Sequence, residues 1–215
     1  MSDFSEIDFR FELYRKGIHI SSLSIPIIYF YISRDLALMI LIPVTFVFIS
    51  VDLLRFYHDG TSKIFYSVFR PMLRNHEVDF VEKRLNGASY VLLAATLSVL
   101  IFPKIIAITA FSILILSDTA AALIGRIFGL HKIFNNKSLE GSFAFFLTAI
   151  LIVLATPKFE YSISEYFIGI FAALIGTIVE LLPIPIDDNL TIPLSIGFSL
   201  WGLYLFFLPT LNLII

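Results

Sequence analysis

IIAITAFSILILSDTAAALI, residues 105–124, decides how this chain folds. The run is as long as the ~20 residues a helix needs to cross a bilayer, and Asp118 is its one charged residue. A barrel strand would instead alternate over about 10 residues. Six further apolar stretches flank it: Ile18–Ile32, Leu36–Leu54, Ala88–Phe102, Phe143–Thr156, Tyr166–Leu182 and Leu190–Pro209. Those starting at Ile18, Ala88 and Phe143 are short for a span and need neighbours such as Gly17, Gly87 or Gly141 to complete one. The expected fold is an all-α, polytopic membrane protein. It has about seven transmembrane helices, or six if the first stretch only lies at the interface. No repeat or linker divides residues 1–215, which read as a single membrane-embedded domain.

Composition agrees. Hydrophobic residues make up 58% of the 215 and charged residues 15%, against ~25% charged in soluble domains. Mean hydropathy is +0.92. A formal net charge of -2 offers no basic face for nucleic acid. Cysteine is absent, which removes disulfides and thiolate metal sites. The N-terminal MSDFSEIDFRFELYRK does not resemble a cleaved signal peptide.

Lys and Arg counts in the connections set the expected orientation. With the N-terminus cytoplasmic, the inner segments hold Arg10, Arg15, Lys16, Arg55, Lys63, Arg70, Arg74, Lys83, Arg84, Arg126, Lys132 and Lys137. The outer turns hold Arg34, Lys104 and Lys158. Twelve and three account for all fifteen cations. Within the long inner loop, Arg70–Arg74 and Val81–Arg84 read as short amphipathic surface helices, drawn to anionic lipid or gating a substrate.

Four groups of polar residues are able to carry chemistry. The first is Asp118 with Gly125, Arg126 and Gly129. An ionisable residue about two turns inside a span is costly and is a functional candidate by default, whereas the Ala121, Gly125, Gly129 stripe suits close helix packing. Asp118 and Gly125 are seven apart and share a face. A carboxylate above a Gly-Arg turn suits Mg²⁺ and phosphate together. The second group, Asn135 to Ser142, places Lys137 and Ser138 before a helix N-terminus that favours an anion. Ser138 also suits an ordinary cap, and Glu140 either completes a metal site or orients Lys137. The third, Asp187-Asp188-Asn189 with Glu180 before it, joins adjacent carboxylates that repel unless a cation relieves them; a solvated turn capped by Asn189 is the alternative. The fourth, Glu12, Arg15, Lys16 and His19, forms one stripe of a helix approaching the membrane. It reads as interfacial ion pairing, or as a proton-transfer site at His19. Asp52 and Arg55 form a similar i, i+3 pair. Orientation from positive charge alone puts the carboxylate-bearing groups on one cytoplasmic face.

The run Asp-x-x-Ala-x-x-x-Gly-Arg-x-x-Gly (Asp118–Gly129) followed by Lys-Ser-x-Glu-Gly-Ser (Lys137–Ser142) resembles the polyprenol kinase family. That family includes dolichol kinase, phytol kinase and the CTP-dependent diacylglycerol kinase. Arg15, Lys16 and His19, the Arg84–Tyr90 segment and Asp187–Pro193 are similar to the same family, so the resemblance spans about Glu12 to Pro193. It implies transfer of the γ-phosphoryl group of CTP to a membrane-dissolved lipid alcohol. Related phosphatidate cytidylyltransferases share part of the pattern but carry a downstream Lys-Asp and Pro-Gly-rich block, where this chain has Asp187-Asp188-Asn189. Cytidylyl transfer is the second enzymatic reading, and a transporter or lipid-binding protein the third. Transport predicts midplane polar residues and repeat symmetry, and the sequence shows no repeat.

On the kinase reading, Asp118 with Asp187, Asp188 or both holds Mg²⁺. Arg126 and Lys137 grip the phosphates, with Ser138 at the anion-binding helix start. Gly125 and Gly141 allow close approach, and Glu140 and Asn189 orient metal or ligand. Asp187, Asp188 and His19 are the candidates for general base. The lipid alcohol enters laterally from the bilayer.

Overall fold

Hydrocarbon offers backbone amides no partners, so an apolar run inside it must close its own hydrogen bonds as a helix. The computed structural model describes residues 9–70, 85–134 and 137–213, and it bears this out. Among the described residues the helices are α1 (Phe9–Ser21), α2 (Ser24–Tyr31), α3 (Arg34–Leu54), α4 (Asp59–Phe69), α5 (Gly87–Ile101), α6 (Lys104–Phe128), α7 (Leu139–Ala155), α8 (Ile163–Leu181) and α9 (Asp188–Phe207). An isolated bridge between Lys132 and Ser138 is the β pairing among them. The protein is an all-α polytopic membrane protein. Helices α3, α6, α8 and α9 are long and apolar enough to cross a bilayer, and α5 and α7 are shorter apolar helices.

Each expected stretch contains helix, with one interruption. The first breaks between α1 and α2 at Ser22–Leu23, because Pro26 has no N–H to return to Ser22 and its ring crowds that carbonyl. Ile25 N–H donates to the Ser22 carbonyl instead, at 3.0 Å. The loop after α3 opens with α4, and Arg70 caps its C-terminal end. The surface helices expected at Pro71–Arg74 and Val81–Arg84 lie outside the described residues.

Helix α6 is the axis of the fold. Residues Ile106 through Ile115 are buried on every side, and α1, α2, α5, α7 and α9 all pack on it. A helix apolar all round belongs at such a centre. Helix α3 packs on α5 at the periphery and leaves Met39 and Phe46 uncovered, as lipid-facing side chains should be.

The two ends of the bundle differ in charge. Arg34, Lys104 and Lys158 gather at one end, and each reaches the open carbonyls of a neighbouring helix terminus. Arg34 Nε donates to the Val99 carbonyl at 3.0 Å and its guanidinium also to that of Leu100. Lys104 donates to the Ile32 carbonyl at 2.8 Å, and Lys158 to that of Thr156 at 2.7 Å. Burial pushes the Lys158 ammonium below the ordinary lysine range, and nearby Glu165 pulls it back up. Glu165 is fully buried. It accepts from the backbone N–H groups of Phe159, Glu160 and Ser162, at 2.7, 2.9 and 3.0 Å, and from the Tyr204 hydroxyl at 3.3 Å. The other end carries Lys16, Arg55 and Lys137, matching the division found in the sequence.

Candidate active site

The polar groups of that second end assemble around the last three turns of α6. Helix α1 turns Lys16 and His19, three residues apart, toward Asp118. Lys16 Nζ stands 2.5 Å from Asp118 Oδ2 and 3.3 Å from the Asp118 carbonyl oxygen. His19 Nε2 lies 3.4 Å from the same carboxylate oxygen. Lys16 is buried, while the Asp118 side chain keeps 20% exposure. Removing one partner from a pair this sheltered costs roughly 3–5 kcal/mol, because it strands the other charge.

A second pair forms where α7 begins. Lys137 Nζ lies 3.0 Å from Asp188 Oδ2 and 3.7 Å from Glu180 Oε1, and it also donates to the Glu180 carbonyl. Glu180 Oε2 accepts from Ser142 Oγ at 3.0 Å. One lysine therefore joins the start of α7, the end of α8 and the start of α9. Asp188 keeps 29% side-chain exposure.

Glycine permits the closeness. A Cβ on Gly141 would stand 2.9 Å from the Ala121 carbonyl oxygen, and one on Gly125 would stand 3.4 Å from the Gly141 Cα. Backbones of α6 and α7 touch here, which is the packing role expected of a small-residue stripe. Gly125 and Gly141 face one another across the helix pair.

The remaining expected residues have defined places. Ser138 is the N-cap of α7 and accepts from the Gly141 N–H at 3.2 Å. Asp187 is the N-cap of α9, and its Oδ1 accepts from the Asn189 backbone N–H at 2.9 Å and from Asn189 Nδ2 at 2.7 Å. Glu140 turns to His131, with Oε1 2.7 Å from Nδ1, away from Lys137. Arg126 is exposed in the last turn of α6. The Glu12 side chain, Asn135 and Asn136 lie outside the described residues. Lys16 and Glu180 emerge as the close charged partners of the site. The family-like Arg15-Lys16-x-x-His19 motif was the sequence signal for the former, and an acidic residue late in a span the signal for the latter.

No group of three metal-ligating side chains occurs among the described residues. In phosphate-transfer sites Mg²⁺ usually takes one or two carboxylates, with substrate phosphates and water completing the octahedron. Asp118 and Asp188, hard oxygen donors on separate helices and both partly exposed, fit that chemistry.

Against known proteins, no protein-family model and no solved structure matches the chain. An uncharacterized protein of Rickettsia prowazekii (strain Madrid E) is 34% identical over 190 residues, covering 87% of this chain and 92% of that protein. This chain belongs to that protein's family. It is also distantly similar, at 26% identity over 155 residues, to CTP-dependent diacylglycerol kinase 1 of Schizosaccharomyces pombe. That similarity covers 66% of this chain and 69% of the kinase.

Proposed function

We propose that this protein is a CTP-dependent lipid kinase that moves the γ-phosphoryl group of CTP onto the hydroxyl of a membrane lipid alcohol. The observation that carries the reading is the double ion pair, Lys16–Asp118 and Lys137–Asp188, at one end of the bundle. Phosphoryl transfer asks for positioned charge more than covalent help. Asp118 and Asp188 are held here by the ammonium groups of Lys16 and Lys137, which are placed to serve as phosphate ligands. Asp118 and Asp188 would hold Mg²⁺, which neutralises charge on the nucleotide phosphates. Lys16 and Lys137 bind phosphate oxygens, with Arg126 approaching from the end of α6. His19 accepts the proton of the attacking hydroxyl. Asp187 is already engaged, because its Oδ1 serves the cap of α9. The site faces the cytoplasm, where CTP is.

Diacylglycerol is the acceptor in the name of the distant relative, and it is one candidate here. Polyprenols, dolichol and phytol offer the same chemistry, one hydroxyl on a long apolar body. The test is to supply membranes with CTP labelled at either the α or the γ phosphate, together with each alcohol. Label from γ alone in the lipid supports the kinase, and the alcohol labelled fastest is its substrate. Label from α means cytidylyl transfer, and no label with any alcohol favours transport or lipid binding.

A further inference from the structure

Helix α6 has 25 residues, about 37 Å of helix at 1.5 Å per residue, against a hydrocarbon core of ~30 Å. Starting from Lys104 at the far interface, its last turn and the chain beyond it lie past the hydrocarbon. Yet that segment is strongly apolar and uncovered. Ile127 and Phe128 are exposed, Leu130 is 84% exposed, and Ile133 and Phe134 stand open as well. Arg126, His131 and Lys132 are interspersed among them, and the sequence holds no acidic residue from Thr119 through Leu139. Glu140, the first carboxylate after it in the sequence, pairs with His131.

We infer that residues 126–134 form a docking surface for an anionic bilayer, seated in the headgroup layer of the leaflet next to the candidate active site. Apolar side chains interspersed with cations, with no carboxylate among them, match that layer, where acyl chains meet negative headgroups. A soluble partner would have to cover the same side chains while avoiding the membrane directly beside them.

The surface is mechanically joined to the site. Ile133 N–H donates to the Lys137 carbonyl at 2.9 Å, Lys137 N–H to the Phe134 carbonyl at 2.7 Å, and Leu139 N–H to the His131 carbonyl at 2.9 Å. The apolar tip and Lys137 therefore move as one unit. On the kinase reading, on which this link rests, anionic lipid around the tip sets the depth of a phosphate-binding lysine.

The test uses the full chain in vesicles and needs no CTP, so its failure is separate from failure of the kinase reading. Trp201, the chain's one tryptophan, is replaced in a Trp201→Phe background and Phe134→Trp is introduced. In vesicles containing phosphatidylglycerol the new tryptophan should be quenched by lipids brominated near the headgroup, and be shielded from aqueous iodide. Iodide quenching without quenching by brominated lipid overturns the proposal, and points to a soluble partner or a second copy on this face. Depth should decrease in vesicles of phosphatidylcholine alone, and Lys132→Gln should weaken the difference. Equal depth in both lipids, with and without Lys132, overturns the anionic preference.

Discussion

On the kinase reading the candidate site turns on Asp118, and its environment explains why a carboxylate survives there. Its charge is matched at 2.5 Å by Lys16 and approached by His19. Asp118→Asn should cut γ-phosphoryl transfer by about a hundredfold or more, the size of effect seen when one preorganised electrostatic group is lost. The protein should still insert and elute as a single species from detergent, and wild-type transfer rates in this variant would remove Asp118 from the mechanism. Glu165, at the opposite end, is the contrasting residue. It serves three backbone N–H groups and a tyrosine hydroxyl, and buried donors left unpaired cost about 1–3 kcal/mol each. Glu165→Ala should lower the thermal midpoint in detergent far more than it lowers kcat of the fraction that stays folded. Asp118 was legible in the sequence because one charge in an apolar run stands out. Its pairing was not, since Lys16 lies 102 residues away and reads locally as an interfacial cation.

At the scale of elements, the contact between α6 and α7 is where sequence rules translate most directly into geometry. The stripe of small residues forecast a close helix approach, and the backbones meet at Gly125 and Gly141. Gly141→Ala forces a methyl to 2.9 Å from the Ala121 carbonyl oxygen. The helices must separate, at a cost of about 1–3 kcal/mol, and Lys137 moves with the start of α7. Gly17→Ala is the control, because nothing lies within 4 Å of its Cβ. Removing a mid-helix glycine there should stabilise by roughly 0.5–1 kcal/mol. Thermal midpoints of the two variants should shift in opposite directions; equal shifts would mean that α6 and α7 are not packed as described. The break between α1 and α2 was harder to read. Ser21, Ser22 and Ser24 lower the hydropathy there without ending the apolar stretch, and it is the backbone chemistry of Pro26 that marks the break.

For the whole molecule, the segregation of cations to two ends was legible from a count. The use made of the minority was not. Lys158 bonds to the end of the helix just before it, while Arg34 and Lys104 bond to carbonyls 65 and 72 residues away, partners that exist only after the helices assemble. Orientation has a clean test, since the chain has no cysteine. Asp59→Cys should react with a membrane-impermeant maleimide from the cytoplasmic side, and Glu160→Cys from the opposite side. The reverse pattern would turn the candidate site away from the cytosolic nucleotide pool and end the kinase reading.

The two ion pairs also bear on biosynthesis. Lys16 leaves the ribosome early, Asp118 in the middle, and Asp188 only with the final helix. Until α9 joins the bundle, Lys137 has no Asp188 to meet and Glu165 has no Tyr204. A chain arrested before α9 joins thus presents Lys137 with Glu180 but without Asp188, and Glu165 with its backbone donors but without the tyrosine hydroxyl. On the kinase reading, the second ion pair of the site would then be completed only when α9 joins the bundle.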